Sequence, residues 1–121
     1  MHFRIELDED VTLIHPVGNF DGGPDCEALQ NLVTELTASG CRKVVFSFSL
    51  TRWINSCGVG KIIAAKFLLD QLGGRFILCD LDDRNMSVIN TLRLDQIFEI
   101  HSTLQGAVAD LKGDSLTLTG P

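Results

Sequence analysis

From Lys43 onward, short apolar stretches alternate with stretches of helical periodicity, and this alternation restricts the fold more than any other feature. Residues 43–48 (KVVFSF) are too short and too apolar for an exposed helix, and their two valines favour a strand. Val59, Ile62, Ile63, Phe67, Leu69 and Leu72 then recur at helical spacing until Gly73-Gly74 stops the run. Residues 75–79 read as a second strand, and Met86, Val88, Ile89 and Leu92 mark another helix. Residues 97–100 read as a short strand, and Leu104, Ala107, Val108 and Leu111 mark a last helix. Strands separated by helices of about 10–15 residues are joined as parallel neighbours through right-handed crossovers.

The first part of the chain differs. Phe3, Ile5 and Leu7 alternate on one side of residues 2–7, Asp8-Glu9-Asp10 makes a turn, and residues 11–17 form a second strand. So short a turn implies an antiparallel pair. Residues 18–23 read as a loop. Pro24 suits the first position of a helix that carries Leu29, Leu32, Val33 and Leu36 as far as about Ser39, where Gly40 ends it. The expected architecture is α/β: a mixed sheet of about five strands with an antiparallel first strand, and about four helices. It forms a single domain over residues 1–111, followed by a short C-terminal tail, 112–121.

A chain of 121 residues with 45% hydrophobic residues can bury a core without staples. It has no apolar run near the roughly 20 residues of a membrane span, so no direct membrane insertion is expected. MHFRIELDED alternates like a strand and does not read as a signal peptide. The net charge of −6, with no basic run, argues against nucleic acid as a partner and favours a protein. Cys26, Cys41, Cys57 and Cys79 contain no CxxC spacing; in a cytoplasmic chain they are expected to be reduced thiols without zinc. No metal or cofactor is expected.

Polar chemistry concentrates in one turn, residues 53–61 (WINSCGVGK), where a strand ends and a helix begins. The hydrolase elbow GxSxG is not met, because Ile54 stands at its first glycine, and His2, His15 and His101 lie elsewhere along the chain. A phosphate loop is not met either, since Gly60-Lys61 is followed by Ile62. Ser56 reads as a helix N-cap worth about 1 kcal/mol. Cys57 reads as small filler in a tight turn, the alternative being a thiol activated by the helix start. Trp53 reads either as an interface anchor or as a ring packed over the sheet edge.

The pattern resembles the STAS domain, the fold of anti-sigma factor antagonists. There a strand of type VVLDLS leads through an aromatic-apolar pair into Asp-Ser-Ser-Gly-Leu-Gly and a helix; here the corresponding stretch is VVFSFSLTRWINSCGVG. Gly18-Asn19-Phe20-Asp21, Gly73-Gly74-Arg75-Phe76 and LDQIFEIHSTLQGAVADL extend the resemblance from about residue 3 to 111. It implies that Ser56 matches the serine phosphorylated by partner kinases, with Asp21 near it, and that Cys57 stands where a second serine or threonine is common. It also implies that Gly58 and Gly60 let the chain turn into the helix. Asn55 and Ser47 depart from the family's two aspartates.

The implied function is a non-enzymatic regulator that docks an anti-sigma factor or serine kinase. The docking surface would be Asp21, Trp53, Asn55, Ser56, Cys57, Gly58 and Val59, with Ser56 the candidate phosphoacceptor. The alternative is a STAS subunit of a larger assembly, such as a stress-signalling scaffold or a phospholipid-transport ABC complex, docking constitutively. A phosphate added at Ser56 would place about −1.5 to −2 charges at a helix N-terminus in one step.

Overall fold

The computed structural model describes residues 2–20 and 23–113, the side chains of His2, Asn19, Phe20, Pro24, Asp25 and Trp53 excepted. In chain order these form β1 (His2–Asp8), β2 (Val11–Phe20), α1 (Gly23–Ala38), β3 (Lys43–Ser47), β4 (Thr51–Ile54) and α2 (Ser56–Gln71). They continue through β5 (Arg75–Cys79), α3 (Asp83–Thr91), β6 (Glu99–His101) and α4 (Leu104–Lys112). The sheet runs β1-β2-β3-β5-β6, with β4 added to the far end of β2. β1 and β2 are antiparallel and closed by a two-residue turn, Glu9-Asp10, in which Glu9 is left-handed (φ 57°). Every other pairing is parallel, as the alternation of strands and helices requires.

The pleat divides the core into two layers. Val44 and Phe46 of β3 point, with Phe76 and Leu78 of β5, toward Leu29, Val33, Ile62, Leu69 and Ile89 of α1, α2 and α3. Val45 and Ile77 point the other way, onto Ala107, Val108 and Leu111 of α4. Three helices therefore cover one face and one helix covers the other. β1 lies at the edge, beyond this cover. Phe3 still packs on the main core, but Ile5 is exposed and Leu7 is 75% exposed, so the expected burial of that stripe holds only at its first residue.

Three boundaries differ from expectation. β2 continues through the region read as a loop, because β4 gives it a partner: Gly18 registers with Thr51 and Phe20 with Ile54. The Thr51 hydroxyl donates to the Pro16 carbonyl at 2.7 Å, and the Gly18 amide to Leu50 O at 3.0 Å. β6 starts later than expected, because Arg93 turns left-handed (φ 58°) into a short 3-10 turn, Leu94–Gln96. That turn buries Leu94 and Phe98 and leaves Ile97 exposed. α4 runs through Lys112; residues 114–121, read as tail, lie outside the described residues.

The Gly73-Gly74 stop has a steric basis. Gly73 is left-handed (φ +77°), and the Gly74 amide bonds back to Leu69 O at 2.7 Å. A β-carbon on Gly74 would collide with the Arg42 carbonyl, so the step from α2 into β5 admits only glycine there. Among the described residues, no helix is long and apolar enough to cross a membrane.

Candidate functional site

Each parallel strand feeds its crossover from the same end of the sheet, so the helices that follow the parallel strands begin there, the edge where α/β folds place their sites. The turn before α2 sits on that edge. Asn55 is extended (φ −86°, ψ 177°), and its side-chain oxygen accepts from the Gly58 amide at 2.9 Å. Asn55 is thus the N-cap, correcting the assignment of that role to Ser56. An asparagine caps about as well as an aspartate, so the family's carboxylate is lost here without loss of the helix start.

Relieved of capping, Ser56 is the first helical residue. It is exposed, and its hydroxyl makes no hydrogen bond to another described residue. Gly58 is buried, and Val59 belongs to the core with Ile54, Ile62 and Phe48. The backbone gathers Trp53 and residues 55–59 in one strand-to-helix turn; the Trp53 side chain lies outside the described residues. So does Asp21, although the preceding residue, Phe20, registers with Ile54 across the β2–β4 pair.

Cys57 departs most from expectation. It is exposed rather than turn filler, and it is bonded as a disulfide to Cys26, with a Cα–Cα separation of 6.3 Å. The expectation of four reduced thiols therefore holds only for Cys41 and Cys79. The pairing follows from topology: Cys26 is in the first turn of α1, Cys57 in the first turn of α2, and the two helices pack side by side from the same sheet edge. A hydrogen bond from Lys61 Nζ to Gln30 Oε1 joins the same two helices.

Gly60 also behaves differently from its expected role. It lies within regular helix, and a β-carbon added there would meet nothing within 4 Å. Gly60→Ala should therefore raise stability by about 0.5–1 kcal/mol through helix propensity. A rightward shift of the urea midpoint at unchanged slope checks this, and a loss of stability would show that the turn does need this glycine.

One residue was missed from sequence. Asp80, directly after β5, is left-handed (φ 58°), and its carboxylate accepts from the Ser47 hydroxyl at 2.8 Å. Ser47 thus stands in a strand position where the family carries aspartate, yet a carboxylate reaches it from the neighbouring strand. The Cys79 thiol lies 3.5 Å from the same carboxylate oxygen. Burial, reinforced by the Asp80 charge and hydrogen bond, pushes that thiol up to about 12. The available signal was the acidic run CDLDD after a buried strand; its second aspartate, Asp82, caps α3 by accepting from the Asn85 amide at 2.8 Å. Buried Asn85 then ties α3 to β4, donating to Arg52 O at 3.3 Å. Elsewhere, Asp110 is held below the usual carboxylate range by hydrogen bonds from Arg75 and His101. His15 is buried in β2.

The STAS domain family model matches residues 2–107. A candidate anti-sigma factor antagonist from Thermotoga maritima superimposes with a TM-score of 0.85 at 22% identity, over 91% of this chain and 94% of its own. An anti-sigma factor antagonist from Mycobacterium paratuberculosis gives 0.81 at 20% identity, over 92% and 93%. The Bacillus cell fate determinant SpoIIAA in its phosphorylated form gives 0.71 at 19% identity, over 90% and 98%. At these identities the superpositions establish the shared fold; the family match over nearly the whole described chain establishes the lineage. This chain belongs to the STAS domain family.

Proposed function

We propose that this protein is a non-enzymatic, cytoplasmic regulatory module that docks an anti-sigma factor or serine kinase through the surface around Ser56. The observation that carries this reading is the division of labour at the α2 start: Asn55 caps the helix, which leaves an exposed serine hydroxyl at its first position. A phosphate there would meet the positive end of the helix and change the local charge in one step. The similar fold of SpoIIAA, solved in a phosphorylated form, supports the same reading. Neither buried His15 nor His101, whose Nε2 bonds Asp110 at 3.0 Å, is hydrogen-bonded to Ser56 among the described residues, the contact a serine nucleophile needs from its base.

Asn55 favours the second reading, constitutive docking within a larger assembly. Its amide supplies the cap but is a poor proton acceptor and a weak magnesium ligand, so Ser56 should be a slow phosphoacceptor. The test is capture with native, Ser56→Ala and Ser56→Asp baits. Native and Ser56→Ala should recover the same anti-sigma factor or kinase, and Ser56→Asp should bind it at least about tenfold more weakly, a loss of about 1.4 kcal/mol. Equal binding by all three would remove Ser56 from the interface. With a recovered kinase, Asn55→Asp should be phosphorylated faster than the native chain; equal rates would show the carboxylate to be dispensable.

A further inference from the structure

We infer that Cys26 and Cys57 form a reversible dithiol–disulfide site that fastens the first turn of α2, and with it Ser56, to the first turn of α1. The Cα–Cα separation of 6.3 Å falls within the range that a disulfide spans, and 31 positions of chain separate the two residues. The environments of the two sulfurs are unequal. Cys26 is 1% exposed, whereas Cys57 is exposed at the surface. A soluble thiol therefore reaches Cys57 and not Cys26, and this asymmetry fixes the order of events.

In the reducing direction, a glutathione thiolate attacks Cys57 Sγ. The Cys26–Cys57 bond breaks, and Cys26 Sγ leaves with the electron pair and takes a proton from solvent. A second glutathione thiolate then attacks the glutathione sulfur of the mixed disulfide on Cys57, and Cys57 Sγ leaves as a thiolate and is protonated. The balance is one protein disulfide and two glutathiones giving two protein thiols and one glutathione disulfide. Glutathione disulfide drives the reverse. The other thiols do not compete well as exchange partners: Cys79 is fully buried and held protonated, and half-buried Cys41 lies 3.3 Å from the Thr12 hydroxyl. In a reducing compartment such a pair is characteristic of redox sensing rather than of a permanent staple.

The disulfide adjoins the exposed Ser56 hydroxyl. Oxidised, it limits how far residues 56–58 can move from α1; reduced, it leaves the turn held by the Asn55 cap and by packing beneath Val59. The consequence for docking rests on the reading of Ser56 given above, but the thiol chemistry does not, and its test needs no partner. The full chain is equilibrated in glutathione buffers of graded ratio, trapped with N-ethylmaleimide and mapped by peptide mass.

With the N-ethylmaleimide trap applied in denaturant after an acid quench, Cys26 and Cys57 should gain label together in a single two-electron transition, with the free thiols Cys41 and Cys79 labelled throughout. Reduction should lower Tm by about 10 °C, as expected for opening a loop of this length, and speed amide exchange at residues 57–60 at least tenfold. In Cys26→Ser the remaining Cys57 should label at least ten times faster than Cys26 does in Cys57→Ser. Labelling of both cysteines in excess glutathione disulfide would show that no pair forms. A bond that resists dithiothreitol until the protein unfolds would make it a fixed staple. Either result overturns the inference.

Discussion

Phe46→Ala should cost about 3–5 kcal/mol of folding stability, the usual range for emptying a fully buried aromatic site. Phe46 is 0% exposed in β3 and meets Phe48 edge-on with ring centroids 5.3 Å apart. It also meets Phe76 of β5 at 5.9 Å, and Phe76 in turn meets Phe98 at 6.2 Å. These four rings run from β3 and the segment just after it, across β5, to Phe98 between the short 3-10 turn and β6. The flanking strands are held by backbone ladders and cannot close on a cavity of that size, so most of the lost contact stays lost. Phe46→Leu keeps much of the volume and should cost less than half as much. Urea denaturation of the three proteins decides the matter: the midpoint should fall with the slope nearly unchanged. A loss below about 1 kcal/mol for the alanine variant would mean that the aromatic row is not the centre of the core.

That row belongs to the part of the fold that periodicity makes legible. Val44 and Phe46 face one layer while Val45 faces the other, as alternation in a short buried strand demands, and the helical stripe of α1 meets them as spaced; the stripe of α2 does so at Val59, Ile62, Ile63 and Leu69 but leaves Phe67 and Leu72 exposed. β4 was not legible because its four residues are too few for a period, and its pairing depends on β2 extending to reach it. The site was legible as a place but not as an arrangement. Ser56 and Asn55 are both good cap residues, and only the backbone conformation decides between adjacent candidates. The Cys26–Cys57 contact joins positions 31 apart, and nothing in either local sequence announces it. Asp80 was missed because its meeting with Ser47 is a cross-strand event, set by the register of β3 against β5, in which Ser47 pairs with Cys79.

Above about pH 9, the native protein should lose stability faster than a Cys79→Ala variant does. The Cys79 thiol is raised from an ordinary value of 9.0 to about 12 in the folded state, first by burial and then by the neighbouring Asp80 carboxylate. A group whose folded value is raised contributes its stabilisation fully below the unfolded value and loses it as pH climbs toward the folded one. Between about 9 and 12, unfolding releases the thiol proton, which favours the unfolded chain by about 1.4 kcal/mol for each pH unit. The whole interval is therefore worth on the order of 4 kcal/mol. Lysines also titrate in this range, but they do so in both proteins and cancel in the comparison, and the chain has no tyrosine. The smaller side chain of Cys79→Ala adds only a pH-independent offset. Both proteins should carry Cys41→Ser, so that alkaline exchange with the Cys26–Cys57 disulfide does not intrude. The measurement is urea unfolding at half-unit steps from about pH 7 to 11. The difference between the two curves should be flat to about pH 9 and change steadily above it. Asp80→Asn should shorten the interval over which the difference grows without abolishing it, because burial is the larger cause. Parallel curves across the whole range would show that the Cys79 thiol ionises within the folded protein, and the sulfur beside Ser47 and Asp80 would then be an open, reactive thiolate rather than a sealed part of the core.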